Sequence, residues 1–461
     1  MQTQSVKLHT VKKTAPSFVS TRNACKLCAP LGASLVFRGI EGCVPLIHGS
    51  QGCATYIRRY VISHFKEPID IASSNFSEAT AIFGGADNLR IALDNLTRQY
   101  KPAAIGIAST CLSETIGDDV RSYIEQYKAA NKGVEIPALI YASTPSYRGT
   151  HMDGYHEAVR ATVISLAAGG PRSRRLNIVP GFLSAADLRH IKEILDDFHF
   201  SYTMLPDYSE TLDGESWSDY QKLSPGGTPV ASIRSMGQSV ATIQLGGSLA
   251  SMDTAASYLQ ETFGVKAVTL GIPIGIGETD RFFGALEEMS GRAMPDKYKK
   301  ERGRLVDAYI DGHKVVSGKR AVIYGEADFV ASMASFLDEI GIVPALCATG
   351  ASIKKFKEIV SSGLSEGHKD IIIRDDADFE DMLEICRSIG VDIIIGNSKG
   401  YYLAKNLSIP LVRAGFPIHD RIGGQRILHV GYAGTQQLFD RIVNALIEHK
   451  QSSSAIGYSY I

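Results

Sequence analysis

The chain has 461 residues, of which 44% are hydrophobic and 21% charged, and its formal net charge is −1. This length exceeds what one hydrophobic core usually serves, so we expect roughly two to four domains. The near-neutral charge provides no basic surface for nucleic acid, and the sequence has no apolar run of about eighteen residues, the length that spans a membrane. We therefore expect neither nucleic acid nor a membrane as a partner.

The cysteine usage points to a reducing compartment. There are seven cysteines in this long chain, an odd number that is not typical of the disulfide frameworks of short secreted domains. Residues 1–20 carry scattered lysines without an apolar core and do not resemble a signal peptide. We expect a cytoplasmic protein whose reduced thiols are available to bind metal.

Residues 1–21 are polar, contain Pro16 and predict an extended N-terminal arm. After the arm, the chain repeats one pattern, in which a short apolar run ends in Gly, Ser or Thr and is followed by an amphipathic stretch. Strands that alternate with helices in this way predict βαβ units and parallel sheets. The strand and helix pairs are 103–108 with 116–127, 176–180 with 185–198, 319–324 with 328–340, and 392–395 with 401–406.

The second pair has the clearest helix signals. Ser184 stands where a helix N-cap is expected, because its hydroxyl can accept a hydrogen bond from a free amide of the first turn. The apolar residues that follow recur at helical spacing and predict one buried face, formed by Leu188, Ile191, Ile194 and Leu195.

Two breaks divide the chain. Residues 168–175 form a Gly/Pro/basic linker, and residues 302–318 form a polar stretch before a new strand. The fold class predicted is α/β, with three Rossmann-like domains whose parallel sheets are flanked by helices. The boundaries predicted are an arm at 1–21, a cluster-binding domain at 22–170, a second domain at 171–310, and a third domain with a C-terminal helix at 311–461.

Cys28, Cys53 and Cys111 are the candidate metal ligands. Each lies beside glycine, proline or a small polar residue at the edge of an apolar run, and Cys111 follows the predicted strand 103–108 after Ser109 and Thr110. Ligands of doubly wound folds bind outside the carboxyl ends of the strands. Three thiolates are one short of a closed Cys₄ iron–sulfur set, so we expect another chain to complete the site.

Two other interpretations remain for these cysteines. Free cysteine is among the most buried residue types, so all three can be inert core thiols. Zinc is the rival metal, since Cys25-x-x-Cys28 has a zinc-like spacing. No second Cys-x-x-Cys or His-x₃-His follows it, which favours a cluster held between distant elements.

Seven short motifs strongly resemble the β-type subunits of nitrogenase component 1. They extend over nearly the whole chain, and those between Cys25 and Asp119 are the most specific. The motifs are Cys28-Ala29-Pro30-Leu31-Gly32-Ala33, His48-Gly49-Ser50-Gln51-Gly52-Cys53, Phe83-Gly84-Gly85, Ser109-Thr110-Cys111 with Glu114-Thr115-Ile116-Gly117-Asp118-Asp119, Thr144-Pro145-Ser146, Asn397-Ser398-Lys399-Gly400, and Arg413-Ala414-Gly415-Phe416-Pro417.

The resemblance implies a shared metal site. Cys28, Cys53 and Cys111 match the β-side ligands of the P-cluster, an iron–sulfur cluster at the α/β interface, of [8Fe-7S] type or, as an alternative, [4Fe-4S]. Ser146 matches a serine that can add an oxygen ligand to the oxidised cluster, although it can equally be an ordinary turn residue after Pro145. The implied partners are an α-type subunit in an α₂β₂ heterotetramer and an ATP-dependent iron–sulfur reductase.

The resemblance leaves two functions open. The first is a subunit of a catalytic oxidoreductase, relaying electrons to a metallocofactor in the α-type partner that reduces dinitrogen or another small substrate such as a thioether. The second is the β-like subunit of a scaffold for iron-molybdenum cofactor biosynthesis. The complete set of Cys28, Cys53, Cys111 and Ser146 favours catalysis.

The remaining candidates have structural interpretations. We expect His48 to bond the backbone of its glycine-rich turn, and Cys43, Cys347 and Cys386 to be core residues. Residues 271–277 lack the Gly-Lys-Ser/Thr ending of a P-loop, so no nucleotide site is expected there. Four cationic residues after Cys53 form either a docking face for a reductase or a solvated helix face: Arg58, Arg59, His64 and Lys66.

Overall fold

The computed structural model describes residues 26–365 and 371–456. The predicted N-terminal arm and Cys25 lie outside these residues. The described strands form three sheets, and every strand pair in them is parallel. Helices flank the sheets, which confirms the predicted α/β class. None of the described helices combines the length and the apolarity needed to cross a bilayer.

The first sheet has the strand order β2-β1-β3-β4. Its strands are β1 Cys43–His48, β2 Ala72–Ser73, β3 Ala104–Ser109 and β4 Ala138–Ala142. Its helices are α1 Ala29–Arg38, α2 Gln51–Phe65, α3 Glu78–Phe83, α4 Ala86–Tyr100, α5 Cys111–Thr115, α6 Val120–Ala130 and α7 His151–Leu166. The chain leaves β1 toward β2 on one side and returns to β3 on the other, so the topological switch point lies between β1 and β3.

The second sheet repeats this order as β6-β5-β7-β8. Its strands are β5 Leu176–Val179, β6 Tyr202–Met204, β7 Ala241–Leu245 and β8 Lys266–Leu270. Its α-helices are α8 Ala185–Asp197, α9 Val230–Arg234, α10 Ala255–Phe263, α11 Gly275–Ser290 and α12 Asp296–Val316, with 3₁₀ turns at Ser235–Gln238 and Gly247–Ser251.

The third sheet has five strands in the order β11-β10-β9-β12-β13. They are β9 Arg320–Gly325, β10 Val343–Thr349, β11 Ile372–Arg374, β12 Ile393–Gly396 and β13 Leu411–Arg413. Its α-helices are α13 Ala327–Glu339, α14 Phe356–Ser362, α15 Phe379–Ile389, α16 Tyr401–Leu407 and α17 Gly431–Ser453, with 3₁₀ turns at Ser398–Gly400 and Gly424–Arg426. Each sheet falls within one predicted domain range, while the boundaries themselves stay predictions.

Local chemistry explains several elements that the sequence predicted. Ser184 caps α8 through a capping box with Asp187, and the predicted apolar face of that helix is buried. The helix predicted at 116–127 begins only at Val120, as α6, because the chain first turns at Gly117, whose φ of 81° favours glycine; the short helix α5 ends before this turn. The polar stretch 302–318 is not a break but most of α12. Cys43, Cys347 and Cys386 are buried, as predicted.

Helices α1 and α7 cross at very short distance, and glycines make this approach feasible. A Cβ atom on Gly32 would lie 1.7 Å from the carbonyl oxygen of His151, and one on Gly154 would lie 1.9 Å from that of Ala29. Only residues without a side chain fit at both positions. The crossing places Cys28, the residue before α1, beside the start of α7.

Candidate functional site

Two of the three candidate cysteines follow neighbouring strands of the first sheet. Cys53 lies in the first turn of α2, soon after β1, and Cys111 is the first residue of α5, after β3. The register pairs His48 with Ser109, so both strands end at the same level. The two thiols therefore lie at the carboxyl edge of the sheet, beside its switch point.

Cys28 completes the group from another direction. It occupies the N-cap position of α1, and its backbone forms an antiparallel bridge with Thr150 before α7. Burial raises the pKa of Cys28 to about 11, the backbone at Leu31 partly opposes this, and the charges of Cys53 and Cys111 raise the pKa further. Cys28 therefore lies on the same side of the first domain as the other two thiols.

Ser146 contacts both sides of this group. Its backbone amide donates to the Sγ of Cys111 at 3.2 Å, and its Oγ accepts a hydrogen bond from the amide of Ala29, the residue after Cys28, at 3.1 Å. Ser146 lies in the turn that follows β4, as expected for the residue after Pro145. The loop after β4 therefore holds Cys111 and the start of α1 together.

The cysteine group is open on one side. Cys28 and Cys53 are half-buried, and Cys111 is exposed. A cleft of about 680 Å³ is lined by Cys28 and Ser146 of the first domain and by residues of the third, including Ser398, Lys399 and His419. This cleft leaves room for a bulky group beside Cys28.

The donor set fits a cluster better than a single ion. Within residues 26–365 and 371–456, no three His, Cys, Asp or Glu side chains are arranged to hold one metal ion. The exposed thiol of Cys111, which accepts from a backbone amide, and the half-buried thiol of Cys28, which lines the cleft, have the chemistry of iron–sulfur ligands.

His48 is a buried structural residue whose side chain has a different partner from the one expected. Its Nε2 lies 3.0 Å from a carboxylate oxygen of Asp118, and Phe76 packs edge-on against the ring. Burial lowers the pKa of His48, and Asp118 partly opposes this shift. Asp118 also accepts from the amide of Gly85 at 3.0 Å, so it joins α4 to β1.

Glu114 is a site residue whose role the sequence analysis missed. Its Oε1 accepts hydrogen bonds from Ser109, Tyr141 and Ser143, which lie at the ends of β3 and β4. Burial raises the pKa of Glu114, but these hydroxyls more than offset it and the net shift is downward. The only signal in the sequence was its place in the motif 114–119, because its partners are defined by strand register.

The cationic group after Cys53 does not form one face. His64 is buried, and its Nδ1 accepts from the backbone amide of Ile418 in the third domain at 2.9 Å. Arg58, Arg59 and Lys66 are exposed. The prediction that included His64 in a docking or solvated face was therefore wrong, because the helix face carrying His64 packs against the third domain.

The glycine-rich loop 271–277 has no free amides for a phosphate at its helix start. The amides of Ile276 and Gly277, in the first turn of α11, donate to the carboxylate of Glu339 at 2.8 and 2.9 Å. An internal carboxylate thus occupies the position at which an anion would bind.

The chain is similar throughout to one protein family. The family model described as nitrogenase component 1 type oxidoreductase matches residues 28–447. The nitrogenase molybdenum-iron protein beta chain of Clostridium pasteurianum is 37% identical, over 92% of this chain and 93% of that relative. The nitrogenase iron-molybdenum cofactor biosynthesis protein NifN of Bradyrhizobium diazoefficiens is 33% identical, over 95% of this chain and 92% of that relative.

Solved structures show the same relationship. A chain of the structure titled nitrogenase Cp1 at pH 6.5 superposes with a TM-score of 0.92 at 33% identity, covering 100% of this chain and 98% of that one. A chain of nitrogenase Cp1 at pH 5 has the same fold, with a TM-score of 0.71 at 16% identity. The protein therefore belongs to the nitrogenase component 1 type oxidoreductases.

Proposed function

We propose that this chain is the β-type subunit of a catalytic nitrogenase-like reductase and contributes one half of an interface iron–sulfur cluster. Cys28, Cys53 and Cys111 are its ligands, and an α-type subunit supplies the other half in an α₂β₂ complex. The observation that supports this proposal is that Cys53 and Cys111 follow neighbouring strands at the carboxyl edge of the first sheet, while Ser146 joins Cys111 to the start of α1, where Cys28 lines an open cleft.

The residues of this chain prepare the site in two ways. The loop after β4 holds Cys111 by an amide–sulfur hydrogen bond, and Glu114 fixes the ends of β3 and β4. Thiolates, not thiols, bind iron, so ligation releases protons from a group such as Cys28. When bound, a P-cluster-type [8Fe-7S] or a [4Fe-4S] group would supply electron transfer between an ATP-dependent reductase and a metallocofactor in the partner.

A second function is supported by the similarity to the cofactor biosynthesis protein NifN, at 33% identity. In that case the chain is the β-like half of a scaffold on which a metallocofactor is assembled. We favour the catalytic function because the chain has all three cysteines and Ser146, and because Ser146 bonds both Cys111 and the residue after Cys28. The substrate, whether dinitrogen or another small molecule such as a thioether, would bind in the α-type partner.

The cluster assignment is tested by replacing Cys53 or Cys111 with alanine in the purified complex. We expect each substitution to reduce the iron content and to change the EPR signals of the cluster. Cys386→Ala is the matched control, since this thiol is buried in the third domain, and it should leave both unchanged. An unchanged iron content and unchanged EPR signals in the Cys53 and Cys111 variants would contradict the assignment of these residues as cluster ligands.

A separate experiment distinguishes the two functions. The complex is isolated with its partner chain and reductase, and two activities are measured. Turnover of substrate with ATP and reductant supports catalysis. Transfer of a metallocofactor to an apo-nitrogenase, without turnover by the complex itself, would instead support the scaffold.

A further inference from the structure

The backbone just before Cys28 is paired with the start of α7. The carbonyl of Leu27 accepts from the backbone amide of His151 at 3.0 Å, and the amide of Leu27 donates to the ring Nδ1 of the same histidine at 3.4 Å. Cys28 itself bridges to Thr150. His151 thus holds the residue before Cys28 by both its backbone and its side chain.

The hydrogen bonds of His151 determine which ring nitrogen carries the proton. Because Nδ1 accepts from Leu27, a neutral ring must carry its proton on Nε2. Nε2 lies 2.7 Å from Oε1 of Glu326, so it donates to that carboxylate. The side chains are only 3% and 13% exposed, which shields the pair from solvent. Glu326 therefore fixes both the tautomer and the orientation of the ring.

Glu326 belongs to a different domain from the cysteines. It follows β9 directly and occupies the N-cap position of α13, at the carboxyl edge of the third sheet, although its side chain makes no capping hydrogen bond. The same short segment before Cys28 has two further contacts with the third domain, from Lys26 to Asp376 and from Lys399 to the carbonyl of Lys26. Of these links, the His151–Glu326 pair is the buried one.

We propose that His151 and Glu326 are positioning residues for Cys28, and that through them the third domain controls the geometry of the interface cluster. This inference rests on the proposed function, since it concerns the cluster that Cys28 would bind. A change in the position of Glu326 relative to the first sheet would rotate the imidazole. That rotation would alter the hydrogen bond to Leu27 and move the backbone that carries the Cys28 thiol.

The test compares Glu326→Ala with Glu326→Gln in the cluster-loaded complex. Alanine leaves Nε2–H without its acceptor, whereas glutamine keeps an acceptor oxygen and should restore the wild-type state. For Glu326→Ala we expect an altered EPR spectrum. We also expect a chelator to remove iron faster than from the wild type, by on the order of tenfold, which is the factor that corresponds to the loss of one buried hydrogen bond. If the alanine variant does not fold, Glu326→Asp, which draws the carboxylate back, replaces it with the same expectation.

The matched control is the buried pair of His429, in the third domain, and Asp187, in the second. Nδ1 of His429 lies 2.8 Å from a carboxylate oxygen of Asp187. The pair has the same chemistry but does not contact the segment before Cys28. His429→Ala should lower the melting temperature while leaving the EPR spectrum and the rate of iron loss unchanged.

Two results would overturn the inference. One is a Glu326→Ala complex with wild-type EPR and iron retention, and the other is a His429→Ala complex that loses iron as fast as Glu326→Ala. Both presuppose a wild-type complex that contains the cluster. A wild-type complex without iron at Cys53 and Cys111 would instead overturn the proposed function, so the two failures are distinguishable.

Discussion

Ser146 contacts the cysteine site through two different groups, and a single substitution separates them. Its amide bonds the sulfur of Cys111, while its Oγ accepts from Ala29 in the first turn of α1. Ser146→Ala keeps the first contact and removes the second. We expect the free energy of unfolding to fall by about 1 kcal/mol, since one backbone amide loses its partner.

The same variant tests whether the Ser146 hydroxyl binds the oxidised cluster. We expect Ser146→Ala to retain its iron and to give an unchanged EPR spectrum in the reduced state, with a changed spectrum only after oxidation. EPR of the complex poised at two potentials measures this. Identical spectra in both states would show that Ser146 is only a turn residue.

At the level of single residues, the sequence predicted what depends on near neighbours. Ser184 was predicted as a cap because the backbone amide that donates to its hydroxyl, that of Asp187, lies three residues away. His64 could not be predicted, because its partner Ile418 is 354 residues away in sequence. The pairing of His48 with Asp118 likewise depends on how α4 and α6 sit above the sheet.

The close crossing of α1 and α7 is the element that sets the position of Cys28. Gly32→Ala would drive a methyl group into the carbonyl of His151, 1.7 Å from the new Cβ. We expect the free energy of unfolding to fall by about 3 kcal/mol, because the clashing group is a backbone carbonyl, which cannot change rotamer to relieve the clash as a side chain can. Since the helices must separate, the iron content of the purified complex should fall as well. Thermal unfolding and iron analysis measure the two effects.

Gly303→Ala is the control for this substitution. Gly303 lies within α12, and a Cβ atom there meets no atom within 4 Å. Alanine is a better helix former than glycine, so the free energy of unfolding of this variant should rise by about 1 kcal/mol. The variant should also keep its iron. Equal losses of stability in both variants would contradict the packing argument.

Helix α12 shows why one element escaped prediction. Its buried positions are Tyr298, Leu305, Gly312 and Val316, and the residues between them are largely polar and accessible. Within 302–318 the apolar residues do not form one clear stripe, because Val306 and Ile310 are exposed while the buried face includes Gly312. The four strands that were predicted, β3, β5, β9 and β12, were recognisable because a parallel sheet covered by helices on both faces has continuous apolar runs.

Asp420 connects the loops that follow β12 and β13. Its carboxylate accepts from the hydroxyl of Ser398 and from the guanidinium of Arg413, whose Nε lies 2.9 Å from both oxygens. Burial raises the pKa of Asp420, but the hydrogen bonds from Arg413 and Ser398 outweigh it and lower the pKa to about 2. Asp420 therefore links two of the motifs on which the family resemblance rests, the one that contains Ser398 and the one that contains Arg413.

The lowered pKa gives a definite pH dependence. A carboxyl group with a lowered folded-state pKa stabilises the fold above its unfolded pKa, which is about 4, and this contribution disappears as the pH falls through about 2. Asp420→Asn should lower the free energy of unfolding by about 2 kcal/mol at pH 7. The difference between variant and wild type should shrink below about pH 4 in scanning calorimetry. A difference that stays constant down to pH 3 would contradict the ion-pair explanation.

At the scale of the whole molecule, one exposed apolar pair lies on the same edge as the cysteines. Ile82 and Phe83, at the end of α3, are 75% and 86% exposed. Helix α3 is placed there by its neighbours on either side, since Phe76 packs on His48 at the end of β1 and Gly85 bonds Asp118. Under the proposed function, exposed apolar side chains on this edge indicate an interaction surface.

We therefore expect the double variant Ile82→Ala/Phe83→Ala to weaken an association of this chain. Loss of both side chains removes apolar area that a partner would bury, and a tenfold or greater loss of affinity is expected. Native mass spectrometry measures assembly with the α-type partner, and the rate of cluster reduction measures docking of the reductase, so the two readouts identify the partner. Ile310→Ala on α12 is the control, because Ile310 is 69% exposed but lies outside the first domain. If the double variant assembles and is reduced like the control, the pair is ordinary surface, and the partner must contact the cysteine edge through other residues.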